Sequence, residues 1–164
     1  MADGKEQFKS GMRHLAGGVT LVTTLCEGAR GGLTATAVCS VSVEPPQLLV
    51  CVNKDASAHD AIGASGIFCV NVLSAQHIAL ALRFAGQDGV EGDDRFSDGD
   101  WGRLSTGAPC LPGALASFDC RIGAVLDAGT HTIFIGRVVA MALAEGVPLI
   151  YWGGKFVAPQ AIAP

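Results

Sequence analysis

The chain has 164 residues, of which 49% are hydrophobic, 16% are charged and 22 are glycine; an average soluble domain carries roughly 25% charged residues and about 7% glycine. That length supports one domain with a real core rather than two ordinary ones. The balance excludes intrinsic disorder, which needs an apolar-poor, charge-rich chain, and the net charge of −4 leaves no basic cluster with which to neutralise the phosphates of a nucleic acid.

A chain this poor in charge cannot cover its whole surface with Lys, Arg, Asp and Glu. Part of its apolar surface is therefore expected to face a partner subunit or a bound ligand. The longest stretch without a charged side chain runs from Ala61 to Leu82, but Gly63, Gly66, Asn71, Ser74 and His77 divide it into short elements, so no membrane span is expected. The charged opening, with Asp3, Lys5, Glu6 and Lys9, does not read as a signal peptide. Six cysteines (Cys26, Cys39, Cys51, Cys69, Cys110, Cys120) sit mostly inside apolar runs without a C-x-x-C pair. They are expected to be small buried hydrophobes in a reducing cytoplasm.

In chain order, Phe8, Met12 and Leu15 form the stripe of a short opening helix that ends near Gly17-Gly18. Val19 to Leu25 reads as a strand, 27–32 as turn chemistry, and Leu33 to Val43 as a second strand pairing back as a hairpin. Glu44-Pro45-Pro46 ends it, and Gln47 to Asn53 reads as a strand buried on both faces. Ser57 is the expected N-cap of a short helix from about Ala58 to Ala64. A strand from Ile67 to Leu73 follows, then Ser74 as a cap and a helix to about Phe84. Residues 85–113 have little period of any kind, and three late strands are expected near 114–125, 130–141 and 147–151. The sum is a mainly β chain with short helices, single-domain over 1–164 with its core at about 8–157, and a β-barrel rather than a doubly wound sheet.

General motifs are few. No dinucleotide-binding or phosphate-loop glycine pattern is present, no paired Cys/His spacing supports a metal, and no local nucleophile signature appears. Two places carry local physics. The strand Leu33-Thr34-Ala35-Thr36-Ala37-Val38-Cys39-Ser40-Val41-Ser42 is built of small and hydroxyl residues that let a flat ligand approach the backbone, or simply pack a tight hairpin. At Cys51-Val52-Asn53-Lys54-Asp55-Ala56-Ser57 a strand runs into a helix start, which is either a phosphate seat or a plain cap.

Together these blocks, with Gly18 to Thr24, Phe68-Cys69-Val70-Asn71-Val72-Leu73, Phe84-Ala85-Gly86, Arg95-Phe96, Trp101, Gly129-Thr130-His131 and Pro148 to Tyr151, closely resemble the flavin reductase-like family of split β-barrel, FMN-binding proteins. Its members include reductase components of two-component monooxygenases, such as that of 4-hydroxyphenylacetate 3-monooxygenase, the pyrimidine-utilisation flavin reductase and the corrin reductase of cobalamin synthesis. The resemblance spans roughly residues 8 to 157. It implies an isoalloxazine ring against Thr34, Ala35, Thr36, Ala37, Ser40 and Val41. The ribityl chain and phosphate would lie by Cys51, Val52, Asn53, Ser57 and His59, with Phe84 as the aromatic near the flavin. Lys54, Arg83 and Arg95 are candidate phosphate partners.

By the same resemblance His131 is the catalytic candidate beside the nicotinamide. Thr130 stands where many relatives have Asp, so positioning is expected of His131 rather than proton donation. The implied reaction is hydride transfer from NADH C4 to flavin N5, with FAD and NADPH as alternatives to FMN and NADH. The implied assembly is a homodimer. Reduced flavin would go to a separate monooxygenase or electrons to a corrinoid, while a non-enzymatic flavin- or haem-binding barrel is the third reading. No metal is implied.

Overall fold

A computed structural model describes residues 2–161. Helix α1 (Ala2–Met12) opens the chain, followed by strands β1 (Gly17–Gly18), β2 (Thr20–Cys26), β3 (Ala29–Ala35), β4 (Val38–Val43) and β5 (Pro46–Asn53). Then come helix α2 (His59–Ser65), strand β6 (Ile67–Val72) and helix α3 (Ile78–Phe84), the last entered through a 3₁₀ turn at Ala75–His77. The long connection after α3 holds a second 3₁₀ turn, Gly92–Phe96, and two short strands, β7 (Gly102–Arg103) and β8 (Pro109–Cys110). Two long strands, β9 (Ala116–Ala128) and β10 (His131–Leu143), and the small pair β11 (Ile150–Trp152) and β12 (Lys155–Val157) complete the chain.

Seven strands form one sheet in the order β3-β2-β6-β9-β10-β5-β4. Its two edges, β3 and β4, are consecutive in sequence, so the sheet must curl for Thr36 and Ala37 to join them. The hydrogen bonds mark the crossing. Thr20 Oγ1 donates to the Ala35 carbonyl at 2.8 Å, whereas the Cys51 amide donates to the Ala37 carbonyl at 3.0 Å. Two residues of chain thus pass from one wall to the other, and the sheet is a split barrel that does not close.

The expected single strand over Leu33 to Val43 is therefore two strands on opposite edges. Alternation of small residues continues through the bend, so periodicity carries no trace of it. Strand β5 buries Leu48, Val50 and Val52 while Gln47, Leu49 and Cys51 are half-buried, so it is covered fully on one face only. Strand β12 lay outside the expected elements, and α1 starts several residues earlier than its apolar stripe suggested. That stripe points outward: Phe8 is 68% exposed and Leu15 68%.

One core fills the barrel, with Val22, Val50, Val52, Ile62, Phe68, Val70 and Phe134 among its buried members. Gly136 makes the closest approach inside it, since a Cβ there would fall 2.4 Å from Phe68 Cζ and 2.8 Å from Cys120 Cβ. A second core under the long connection joins Leu21, Leu73, Ala81, Phe84, Phe96 and Leu149. Irregular backbone is held there by buried polar groups. Asn71 Oδ1 accepts from the Leu111 amide at 2.8 Å and the Ser117 hydroxyl at 2.9 Å, and the Asp119 carboxylate accepts from the Thr106 amide at 2.7 Å.

Candidate functional site

The small-residue segment stands between two depressions. One, of about 180 Å³, is lined by Thr34, Ala35, Thr36, Ala85, Gln87 and Phe156 among others. The other, of about 820 Å³, runs along α1 and is lined by Met12, Leu15, Thr36, Ala37, Val38 and Val72 among others. Thr36 and Tyr151 border both. The segment's inward groups are committed: the Thr34 hydroxyl donates to the Ala81 carbonyl at 2.7 Å, and Ala35 is buried. Thr36 and Ala37 are exposed at the bend, as are Ser40 and Val41 on the β4 edge. Small side chains at this corner keep the backbone accessible. Gly17 serves the same end, because a Cβ there would press to 3.0 Å from Thr36 Cβ.

At the end of β5, Cys51 is half-buried, Val52 buried and Asn53 exposed. Asn53 pairs in register with His131, the first residue of β10. The next residue ties the same corner, its Lys54 amide donating to the Thr130 carbonyl at 3.0 Å. His131 is half-buried, with Nδ1 at 2.9 Å from the Thr130 hydroxyl. Its ring is oriented by that hydroxyl.

His59 meets the next residue of β10, whose side chain faces the opposite side of the strand from His131, and is occupied on both sides. Its Nε2 lies 2.8 Å from the Thr132 hydroxyl, its Nδ1 2.8 Å from Asp60 Oδ1, and its ring rests on Phe134 at 5.7 Å. It joins α2 to the buried face of β10. Ser57 does not cap α2; the N-cap is Ala58, with no side-chain cap bond. The Ser57 hydroxyl is exposed and instead faces a cation.

Of the three candidate phosphate cations, two are paired. Lys54 Nζ meets Asp127 at 2.6 Å. Arg83 holds Asp88 at 2.9 Å and Asp98 at 2.5 Å, and its hydrogen bond to Asp88, with that of the Val90 amide, keeps Asp88 below the ordinary carboxylate range. Arg95 is different: its Nε donates to the Val90 carbonyl at 2.9 Å, while Nη1 lies at the long limit of 3.5 Å from both Ser57 Oγ and the Gly32 carbonyl. Among the described residues no carboxylate pairs with it. A guanidinium oriented by carbonyls, beside a free hydroxyl, is chemically an oxyanion seat.

Gly32 on β3 and Thr36 just past its end are four residues apart, roughly 13 Å at a strand's rise. A flat ligand at Thr34 to Ala37 with a phosphate tail toward Ser57 and Arg95 fits that run. Phe84 supports it from inside. It is 2% exposed, packs on Phe96 at 4.9 Å and Trp101 at 5.7 Å, and lies so close under β3 that a Cβ at Gly32 would sit 2.7 Å from its ring. Sequence reasoning passed over Tyr151 and Gln87 on the groove walls, and Arg30, which lay in a run read as turn.

Comparison with known proteins gives a consistent result. Residues 12–160 match the family described as flavin reductase like domain. A relative from Methylorubrum extorquens named FMN reductase (NADH) RutF 2 is 48% identical over 148 residues, covering 90% of this chain and 85% of its own. Among solved structures, BorF, the flavin reductase component of a bacterial two-component tryptophan halogenase, is similar with a TM-score of 0.87 and 34% identity, covering 96% of this chain and 99% of BorF. The Streptomyces globisporus NADH:FAD oxidoreductase SgcE6, solved with NAD and FAD fragments, is similar with a TM-score of 0.84 and 33% identity over 100% of this chain and 96% of its own.

Proposed function

The chain belongs to the flavin reductase-like family, and on that premise we propose that it is an NADH-dependent flavin reductase that uses FMN. The observation that carries this is the 48% identity, over 90% of the chain, to a relative named FMN reductase (NADH). When bound, flavin supplies a ring that accepts a hydride from the nicotinamide; the remaining tasks fall to the chain's own residues.

Thr34, Ala35, Thr36, Ala37, Ser40 and Val41 give the ring a low wall it can reach at backbone level. Asn53, at the end of the strand that carries Cys51 and Val52, and Ser57, four residues on, lead to the phosphate position, where Arg95 provides the charge. His59 fixes this end by tying α2 to Thr132, and Phe84 backs β3 from the core. His131 orients the nicotinamide, its ring set by the Thr130 hydroxyl. Such alignment is what a hydride transfer needs from the protein, because the two rings must meet at close range and correct angle.

The active form is a homodimer, supported by the charge-poor composition and by exposed apolar side chains that include Leu143 at 73% and Val43 at 92%. Reduced flavin passes to a separate monooxygenase, a division of labour supported by the similarity to BorF, the flavin reductase component of a two-component tryptophan halogenase. A cytoplasmic setting fits six cysteines that are all unpaired; no helix among the described residues is long and apolar enough to cross a membrane. Steady-state oxidation of NADH with FMN and with FAD tests the activity. Turnover that depends on added flavin and favours FMN is expected, and NADH left unoxidised with both flavins would overturn the reading.

A further inference from the structure

Residues 86–98 form an acidic loop, with Asp88, Glu91, Asp93, Asp94 and Asp98 around a single cation, Arg95. A loop of that charge repels an anion unless its carboxylates are neutralised and its cation is aimed. Ion pairs to β3 and α3 neutralise three of the five carboxylates, Asp88, Asp93 and Asp98, and aim the cation. Arg30 of β3 holds Asp93 by two bonds, Nε to Oδ1 at 2.7 Å and Nη2 to Oδ2 at 2.5 Å, and its guanidinium rests 4.8 Å from the Phe96 ring centre. Asp93 and Arg95 share one 3₁₀ turn, Gly92–Phe96, so this clamp fixes the turn that carries Arg95.

A second route arrives from α3. Arg83 Nε donates to Asp88 Oδ2 at 2.9 Å, Asp88 Oδ1 accepts from the Val90 amide at 3.1 Å, and the Val90 carbonyl accepts from Arg95 Nε at 2.9 Å. The Arg83 guanidinium also holds Asp98 beyond the turn. Arg30 and Arg83 side chains are 29% and 18% exposed and their partners Asp93 and Asp88 58% and 31%, so the geometry of each pair, bidentate for Arg30, carries its role more than burial does.

We propose that Asp93 and Asp88 are positioning residues for the flavin phosphate, clamped by Arg30 and Arg83 so that Arg95 is held over Ser57. This rests on the reading of Arg95 and Ser57 as the phosphate seat. It also inverts the simple charge expectation. Removing a negative charge near an anion seat strengthens anion binding by Coulomb's law, whereas removing a positioning carboxylate weakens it.

The test titrates the full chain with FMN and with riboflavin, which lacks the phosphate, following flavin fluorescence. Asp93→Asn and Asp88→Asn are each expected to raise the Kd for FMN about five- to tenfold, the scale of one loosened charge-assisted hydrogen bond. The Kd for riboflavin is expected to stay within about twofold. In an Arg95→Gln background, Asp93→Asn adds no further loss, because the carboxylate acts through the missing guanidinium. An FMN Kd that is unchanged or lower, an equal loss for both flavins, or a full effect persisting without Arg95 each overturns the proposal. If the wild-type chain binds riboflavin as tightly as FMN, the phosphate seat itself fails and the clamp with it. Failure to bind either flavin overturns the flavin reductase reading instead.

Discussion

Thr130 beside His131 decides what that imidazole is suited to do. A hydroxyl at 2.9 Å orients the ring, while a carboxylate there would also favour its cationic form. His131→Ala is therefore expected to lower kcat/KM for NADH about tenfold or more, as lost alignment does. FMN affinity is expected to hold within about twofold; equal losses in both would assign His131 to the fold alone. At the other extreme of the residue scale, Gly136 has no room for a side chain. Gly136→Ala is expected to destabilise the chain by about 1–3 kcal/mol, the ordinary cost of overpacking a core, because Phe68 and Cys120 both occupy the needed space. Denaturant midpoints measure this directly. Small and aromatic residues here were legible as a pattern, but their roles were not. Phe84, expected near the flavin, packs behind β3 on Phe96 and Trp101, a contact made across the irregular connection that follows α3.

Among the elements, the entry to α3 carries a titratable cap. The Ser74 amide donates to His77 Nδ1 at 3.2 Å, within a capping box at the N-cap Ser74. Burial pushes His77 below the usual imidazole value, so the neutral ring is the form the fold binds. The stability from this group is complete above the unfolded value of about 6.5 and is lost as pH falls from there through the folded value. Wild-type protein is expected to lose thermal stability as pH falls below about 6.5, and His77→Gln, which retains an acceptor without a titration, to lose less. An identical pH slope in both proteins would remove His77 from the account. Ser74 was readable as a cap from its place before the helix. Ser57 looked the same and is not one, since chain direction at Ala56 to Ala58 turns its hydroxyl toward Arg95.

For the whole molecule, curling one sheet so that consecutive strands become its opposite edges creates the groove and also leaves apolar surface outside. Phe8, Met12 and Leu15 of the opening segment border that groove and remain exposed, so the site corner and the apolar surface are continuous. A second copy covering such surface is expected to give a solution mass about twice 16.7 kDa in sedimentation analysis. A mass of one chain at micromolar concentration would reject the dimer.

The amino-acid order by itself determined the mainly β class, most strand and helix positions, and the small-residue block with its family resemblance. These depend on neighbours in the chain: side-chain period, turn residues and local propensity are all short-range quantities. The composition likewise announced an apolar surplus. Only the tertiary structure decided that the expected strand from Leu33 to Val43 breaks at Thr36 and Ala37, because the break is forced by which wall each residue bonds to. It also decided which cation is left for a phosphate. Lys54, Arg83 and Arg95 are equivalent charges in the sequence, and the carboxylates that occupy the first two, Asp127 for Lys54 and Asp88 with Asp98 for Arg83, are fixed by where the folded chain places them.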